Sequence, residues 1–187
     1  MARAKKYNEK EVAEKAMNLF WKNGYANTSM QMLEKEMGIN KFSIYSSFGN
    51  KDGLFLKSLD CYKSRLFVLV DKLVKSTDGI PAIKEYFYDF VDFTRDTKHG
   101  KGCLVTNTAN EIGLESEEEI PQVLKIFTDE IKQVFADKLK NEGNFDLDMI
   151  EEQADYLLIS MFGLSSATRI FSEEQLKHYI ENIFKNL

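Results

Sequence analysis

Seven consecutive residues, Lys41-Phe42-Ser43-Ile44-Tyr45-Ser46-Ser47, carry a cation, hydroxyls and aromatic rings. Side chains of these types meet phosphate oxygens and base edges when a helix presents them to duplex DNA. A second candidate is Cys103, which follows KHGKG at 98–102 where a helix should begin. A helix N-terminus with Lys98 and Lys101 nearby lowers a thiol pKa and favours the reactive thiolate. A small buried hydrophobe is the other role open to such a cysteine. Tyr86, Phe87, Phe90 and Phe93, with Phe127, Tyr156 and Met161, could line an apolar ligand pocket, although aromatic stripes at helical spacing also serve as plain core. Asn107 and Glu111, polar residues of a helix expected to be partly buried, are further pocket candidates.

Nothing in the sequence pairs carboxylates for acid–base work, sets a nucleophile beside a base or loops glycines around a phosphate. The two cysteines, Cys61 and Cys103, and the two histidines, His99 and His178, lack the spacing of zinc ligands. The expectation is therefore no catalytic residue, no cofactor and no metal.

The elements that must hold these side chains read as helices. The chain has 187 residues and two prolines, Pro81 and Pro121, and shows no alternating strand pattern. Val12, Ala13, Ala16, Leu19 and Phe20 fall at helical spacing after Asn8, a residue suited to capping, and Gly24 stops that helix. Thr28 and Ser29 open a second helix that Gly38 ends. Asn40 caps a third, through Ser46 or Ser47. Asn50 caps a long fourth helix, 50–75, and the linker STDGIP at 76–81 follows it. Helices are expected over 81–98, 103–114, 120–141, 147–169 and 173–186. The fold class is all-α, with about nine helices: an N-terminal three-helix domain at 1–55, the fourth helix connecting, and a second domain at 76–187.

Charge separates the same two parts. Net charge is −5, yet residues 1–60 hold ten Lys or Arg against seven Asp or Glu, and the rest holds 15 against 23. A mildly basic first third on an acidic chain suits a polyanion-binding end. No run of about 18 apolar residues occurs, and the start MARAKKYNEK lacks the apolar stretch of a signal peptide, so no membrane partner is expected and the chain reads as cytoplasmic.

The stretch TSMQMLEKEMGINKFSIYSSFGNKDGLF, 28–55, sets two short helices around the turn at Gly38. That arrangement carries the second helix at a fixed angle on the first, as a helix-turn-helix does when it enters the major groove; an ordinary helical hairpin shares the glycine turn. Residues 10–55 resemble the DNA-binding domain of the TetR family of transcriptional regulators, through Ala16, Leu19, Phe20, Gly24, Tyr25, Thr28, Ser29, Leu33, Gly38, Ile39, Ile44, Tyr45, Phe48, Lys51, Leu54 and Phe55. GINKFSIYSSFGNKDGLF and GKGCLVTNTANE are similar to one branch, with a GIN-type recognition helix and a GC-L start to helix six, which includes repressors sensing electrophiles and oxidants.

The resemblance implies roles. Thr28 and Ser29 would bind phosphate through side chains and amides. Lys41, Phe42 and Ser43 would face bases, Tyr45 and Ser47 would touch the sugar-phosphate backbone, and Lys51 would neutralise a phosphate. The sensing thiol of oxidant-responsive members would be Cys103. Three positions depart from the pattern: Glu34 stands where the helix crossing usually has a small residue, Phe42 where Gly or Pro is common, and Ser47 where His is common. The Glu34 side chain must swing out or the crossing widens; the Phe42 ring either contacts a thymine methyl or packs inward.

YLLISMFGLSSA, 156–167, is apolar almost all round, so one face packs on its own domain and another needs a partner, unless the whole helix is monomer core. Leu157, Met161, Leu164, Leu176, Ile180 and Ile183 are the expected dimer interface, which the resemblance places in a four-helix bundle between subunits. The sequence thus points to a homodimeric repressor that binds a pseudo-palindromic double-stranded DNA operator and is released by an unknown small-molecule inducer or an electrophile or oxidant signal. A helical small-molecule-binding or adaptor protein with no DNA role is the alternative.

Overall fold

The computed structural model describes residues 7–95, 102–115, 118–143, 145–185 and 187. Among them are nine α-helices and no strand: α1 Glu9–Asn23, α2 Met30–Met37, α3 Lys41–Phe48, α4 Lys51–Lys75, α5 Ile80–Arg95, α6 Leu104–Ile112, α7 Glu119–Lys140, α8 Leu147–Ala167 and α9 Glu173–Ile183. None is long and apolar enough to cross a membrane. The fifth helix expected to 98 is described to Arg95, and Lys98, His99 and Lys101 lie outside the described residues. Pro81, expected in the linker, belongs to the first turn of α5, where its missing N–H costs no helical bond.

Side-chain caps start the helices where the sequence placed them. Asn8, Asn40 and Asn50 accept from Lys10, Ser43 and Gly53 amides, at 2.9, 2.8 and 2.7 Å. The cap of α2 is Ser29, whose Oγ accepts from the Met32 amide; Thr28 lies one residue outside.

The N-terminal helices close on Phe20, Leu33, Ile44, Leu54 and Phe55, all fully buried. Phe20, Tyr25 and Phe55 pack ring against ring beneath α3. The 25 residues of α4 span about 37 Å. Its first half belongs to this core, and Leu66, Val70 and Leu73 belong to the second, with α5 and α7. Trp21 of α1 joins the halves: its ring packs against Tyr62 and Phe93, and its indole N–H donates to the Gly102 carbonyl at 2.7 Å.

The far end of α4 is held by α7. The buried Lys138 ammonium donates to the Val74 and Ser76 carbonyls, at 3.2 and 2.5 Å, where the negative end of the α4 dipole lies. One turn further on, a Glu142 carboxylate oxygen accepts from the Ile80 amide at 2.7 Å, capping α5.

The residues expected at a dimer interface are elsewhere. Leu157, Met161, Leu164, Leu176, Ile180 and Ile183 are all buried within the single chain. Apolar side chains left outside along α8, the α8–α9 turn and α9 include Tyr156, Ile159, Ile170, Phe171 and Tyr179, and Ile159 is 70% exposed. Residues 157, 161 and 164 form one stripe of α8, while 156, 159 and 163 form another, turned about 130° from it. Both stripes are apolar, so the pattern announces two buried faces without saying which one the chain itself covers.

Candidate nucleic-acid interface

Of the eight residues of α3, Ile44 alone is buried. Phe48 packs part-buried on the core, as expected. With a period of 3.6 residues, Ile44 and Phe48 point inward, Phe42 and Ser46 point away, Lys41 and Tyr45 flank one side, and Ser43 and Ser47 flank the other. Phe42 is 81% exposed, which decides between the two orientations expected of its ring. Lys41 is exposed and its ammonium lies 5.6 Å from the Tyr45 ring centre. A cation, two aromatic rings and a hydroxyl therefore share the outer surface of one short helix, a shape a major groove admits.

Glu34 explains its own departure from the family pattern. Its side chain leaves the α2–α3 crossing and accepts from the Lys41 amide, placing a carboxylate at the α3 N-terminus, where the helix dipole favours it. Ser47 is engaged by a residue outside the expected set: its Oγ lies 2.7 Å from the Tyr7 hydroxyl, which also reaches the Ser43 carbonyl at 3.1 Å. Thr28 requires a correction. Its side chain is fully buried and its hydroxyl donates to the Gly24 carbonyl at 2.6 Å, so that hydroxyl is not offered to a phosphate. Ser29 is exposed beside it at the start of α2.

Lys51, the first residue of α4, holds its ammonium 4.5 Å from the Tyr25 ring centre and 3.5 Å from the Ala26 carbonyl. Partial burial lowers its pKa, while Asp52 and Glu111 act in the opposite sense. Tyr25 donates its hydroxyl to Asp52, and burial, then that bond, push the phenol pKa up.

Residues 13–57 match the family described as bacterial regulatory proteins, tetR family. The match runs from within α1 into the start of α4 and so covers the helix-turn-helix. Among relatives, it is 28% identical to the uncharacterised HTH-type transcriptional regulator YezE of Bacillus subtilis, over 72% of this chain and 68% of YezE. It is 29% identical to the HTH-type transcriptional repressor ComR of Escherichia coli, over 61% of this chain and 55% of ComR. Among solved structures, a cysteine-substituted CifR, a TetR family transcriptional regulator complexed with double-strand operator DNA, superposes with a TM-score of 0.84 at 23% identity and 98% coverage of both chains. The reduced form of E. coli NemR superposes with a TM-score of 0.80 at 17% identity and 96% coverage of both.

The helix-turn-helix touches α6 through Glu111. Expected in a partly buried pocket, Glu111 is instead exposed at the end of α6, and its carboxylate accepts from the Ala26 amide at 2.8 Å. Gly24, at φ 86°, lies directly beneath; a Cβ there would collide with that carboxylate. Glu111 also acts electrostatically on Lys51. The aromatic pocket candidates separate too. Tyr86, Phe87 and Phe90 are buried and pack against one another and against Phe135. Phe127 is buried, with the Lys63 ammonium 5.0 Å from its ring centre. Phe93 belongs to the Trp21 cluster, and Tyr156 faces outward. The Tyr86 hydroxyl lies 3.7 Å from Met161 Sδ. Asn107 is partly buried, with its side-chain oxygen near Gly102.

Cys103 caps α6 without a side-chain cap bond, and its amide donates to Ser165 Oγ at 2.8 Å. Its thiol is 2% exposed and faces the Tyr62 hydroxyl, itself buried without a well-formed hydrogen bond. Burial at this level opposes the expectation of an accessible thiolate, and the two lysines invoked for it lie outside the described residues. Cys61 is partly buried, and burial pushes its thiol pKa up.

Proposed function

We propose that the chain is a homodimeric repressor that binds a pseudo-palindromic operator and leaves it when a small molecule, or an electrophile or oxidant, acts on the second domain. The observation that carries DNA reading is the outer surface of α3, where Lys41, Phe42 and Tyr45 stand free around an 81%-exposed ring. Two copies are required because one short helix reads too few base pairs for useful specificity. The uncovered apolar stripe of α8 with Tyr179 of α9 supports a partner copy on that side. The relative ComR is a repressor by name, which favours repression here. The contacts of Glu111 with Ala26 and of Trp21 with Gly102 give α6 a path to the DNA-reading helices, so a ligand that shifts α6 or α4 would change the spacing of the two α3 helices.

Selection of duplexes from random DNA, followed by footprinting, tests the reading. The expected product is a near-palindrome whose half-sites recur at about one helical turn, or a multiple of it, on one face. A single unpaired half-site, or no enrichment, overturns it.

A further inference from the structure

We propose that Tyr7 is a positioning residue for base reading by α3, a role that rests on the DNA-binding reading above. With Ile44 the one buried residue of α3, core packing fixes the depth of that helix but leaves its rotation about its own axis lightly held. The Asn40 cap and the Glu34 carboxylate hold only the first turn, at the Ser43 and Lys41 amides. Tyr7 supplies the missing restraint. It precedes α1, packs part-buried on the core, and places its hydroxyl against two groups one turn apart on the same flank of α3. A phenol has one proton to give. It goes to the Ser43 carbonyl at 3.1 Å, and the Ser47 hydroxyl donates back to the phenol oxygen at 2.7 Å. Both bonds resist the same motion, a roll that would swing Phe42 and Lys41 along the groove. Ser47 thereby acts as an internal anchor, and the base-facing residues inherit their angle from a side chain 36 positions before Ser43.

Tyr7→Phe keeps the ring and removes the hydroxyl. Two affinities are measured by titration: for the duplex that the wild-type protein enriches from random DNA, and for a mixed-sequence duplex. Loss of the two bonds is expected to lower the ratio of these affinities about tenfold while leaving mixed-sequence binding unchanged. Ser47→Ala should lower the ratio in the same direction, and the double variant should be no worse than Tyr7→Phe, because the residues act as a unit. Partial unfolding lowers both affinities together and cannot produce a changed ratio. An unchanged ratio, an equal fall in both affinities, or additive effects in the double variant each overturn the role of Tyr7. If the wild-type protein enriches no sequence, the DNA-binding reading fails first, and the Tyr7 role falls with it.

Discussion

Lys51 shows how one side chain can serve two masters. In the free protein its ammonium rests over the Tyr25 ring and near the Ala26 carbonyl. A DNA phosphate at the N-terminus of α4 would meet the same cation and the helix dipole together. Replacing Lys51 by Ala should weaken binding on all sequences alike and flatten the salt dependence of affinity by about one unit. Titrations across a salt series check this, and an unchanged slope removes Lys51 from the phosphate-contacting set. The two thiols are ordered by access rather than by helix position. Because Cys103 is buried and Cys61 is only partly so, iodoacetamide should label Cys61 first in the folded protein. Mass spectrometry of a time course reads the order; faster labelling of Cys103 would restore the thiol-sensor expectation.

At the scale of elements, the loop between α1 and α2 is where the helix-turn-helix meets α6. Gly24 makes that meeting possible for two reasons: its positive φ of 86° suits glycine, and its missing Cβ leaves room for the Glu111 carboxylate. Gly24→Ala should therefore cost about 1–3 kcal/mol in stability, measured by thermal or denaturant unfolding. The loss should shrink when Glu111 is also replaced by Ala, which relieves the collision but not the backbone strain. An equal loss in both backgrounds would mean that strain alone explains the glycine. The far end of α4 is held just as specifically, since Lys138 in the last turn of α7 and Glu142 just past its end cap the end of α4 and the start of α5. With its far end tied to Lys138 and the α1–α2 loop tied to Glu111, a displacement of α6 or α7 would reach the helices that carry α3.

For the whole molecule, the assignment of faces on α8 changes which substitution tests dimerisation. Ile159→Glu puts a charge on the uncovered stripe, so the chain should stay folded and sediment as a monomer at micromolar concentration. Leu157→Glu puts the charge into the chain's own core, where an unpaired buried charge costs several kcal/mol, and it should unfold or aggregate. Circular dichroism with sedimentation velocity separates the two outcomes. A folded dimer of Ile159→Glu would move the interface away from this stripe. The single tryptophan, Trp21, stands where the two halves of the chain meet, so its fluorescence offers a direct readout of any change between them.

What the sequence determined by itself was everything encoded at short range. Asn8, Ser29, Asn40 and Asn50 fix helix starts because a side chain two or three residues away from its target amide needs no tertiary help. The turn at Gly38 alone left a helical hairpin open, and the resemblance of residues 10–55 made the helix-turn-helix legible; Leu33, Ile44 and Leu54, which belong to that resemblance, are buried. Tertiary structure decided the rest, through contacts between residues far apart in the chain. Nothing near Tyr7 in sequence announces Ser47, and nothing near Glu111 announces Ala26. Thr28, expected to offer its side chain to a phosphate, turns its hydroxyl back to the Gly24 carbonyl. The two apolar stripes of α8 are equivalent as a pattern, and only packing against α7 and α9 distinguishes the one the chain buries from the one it leaves exposed.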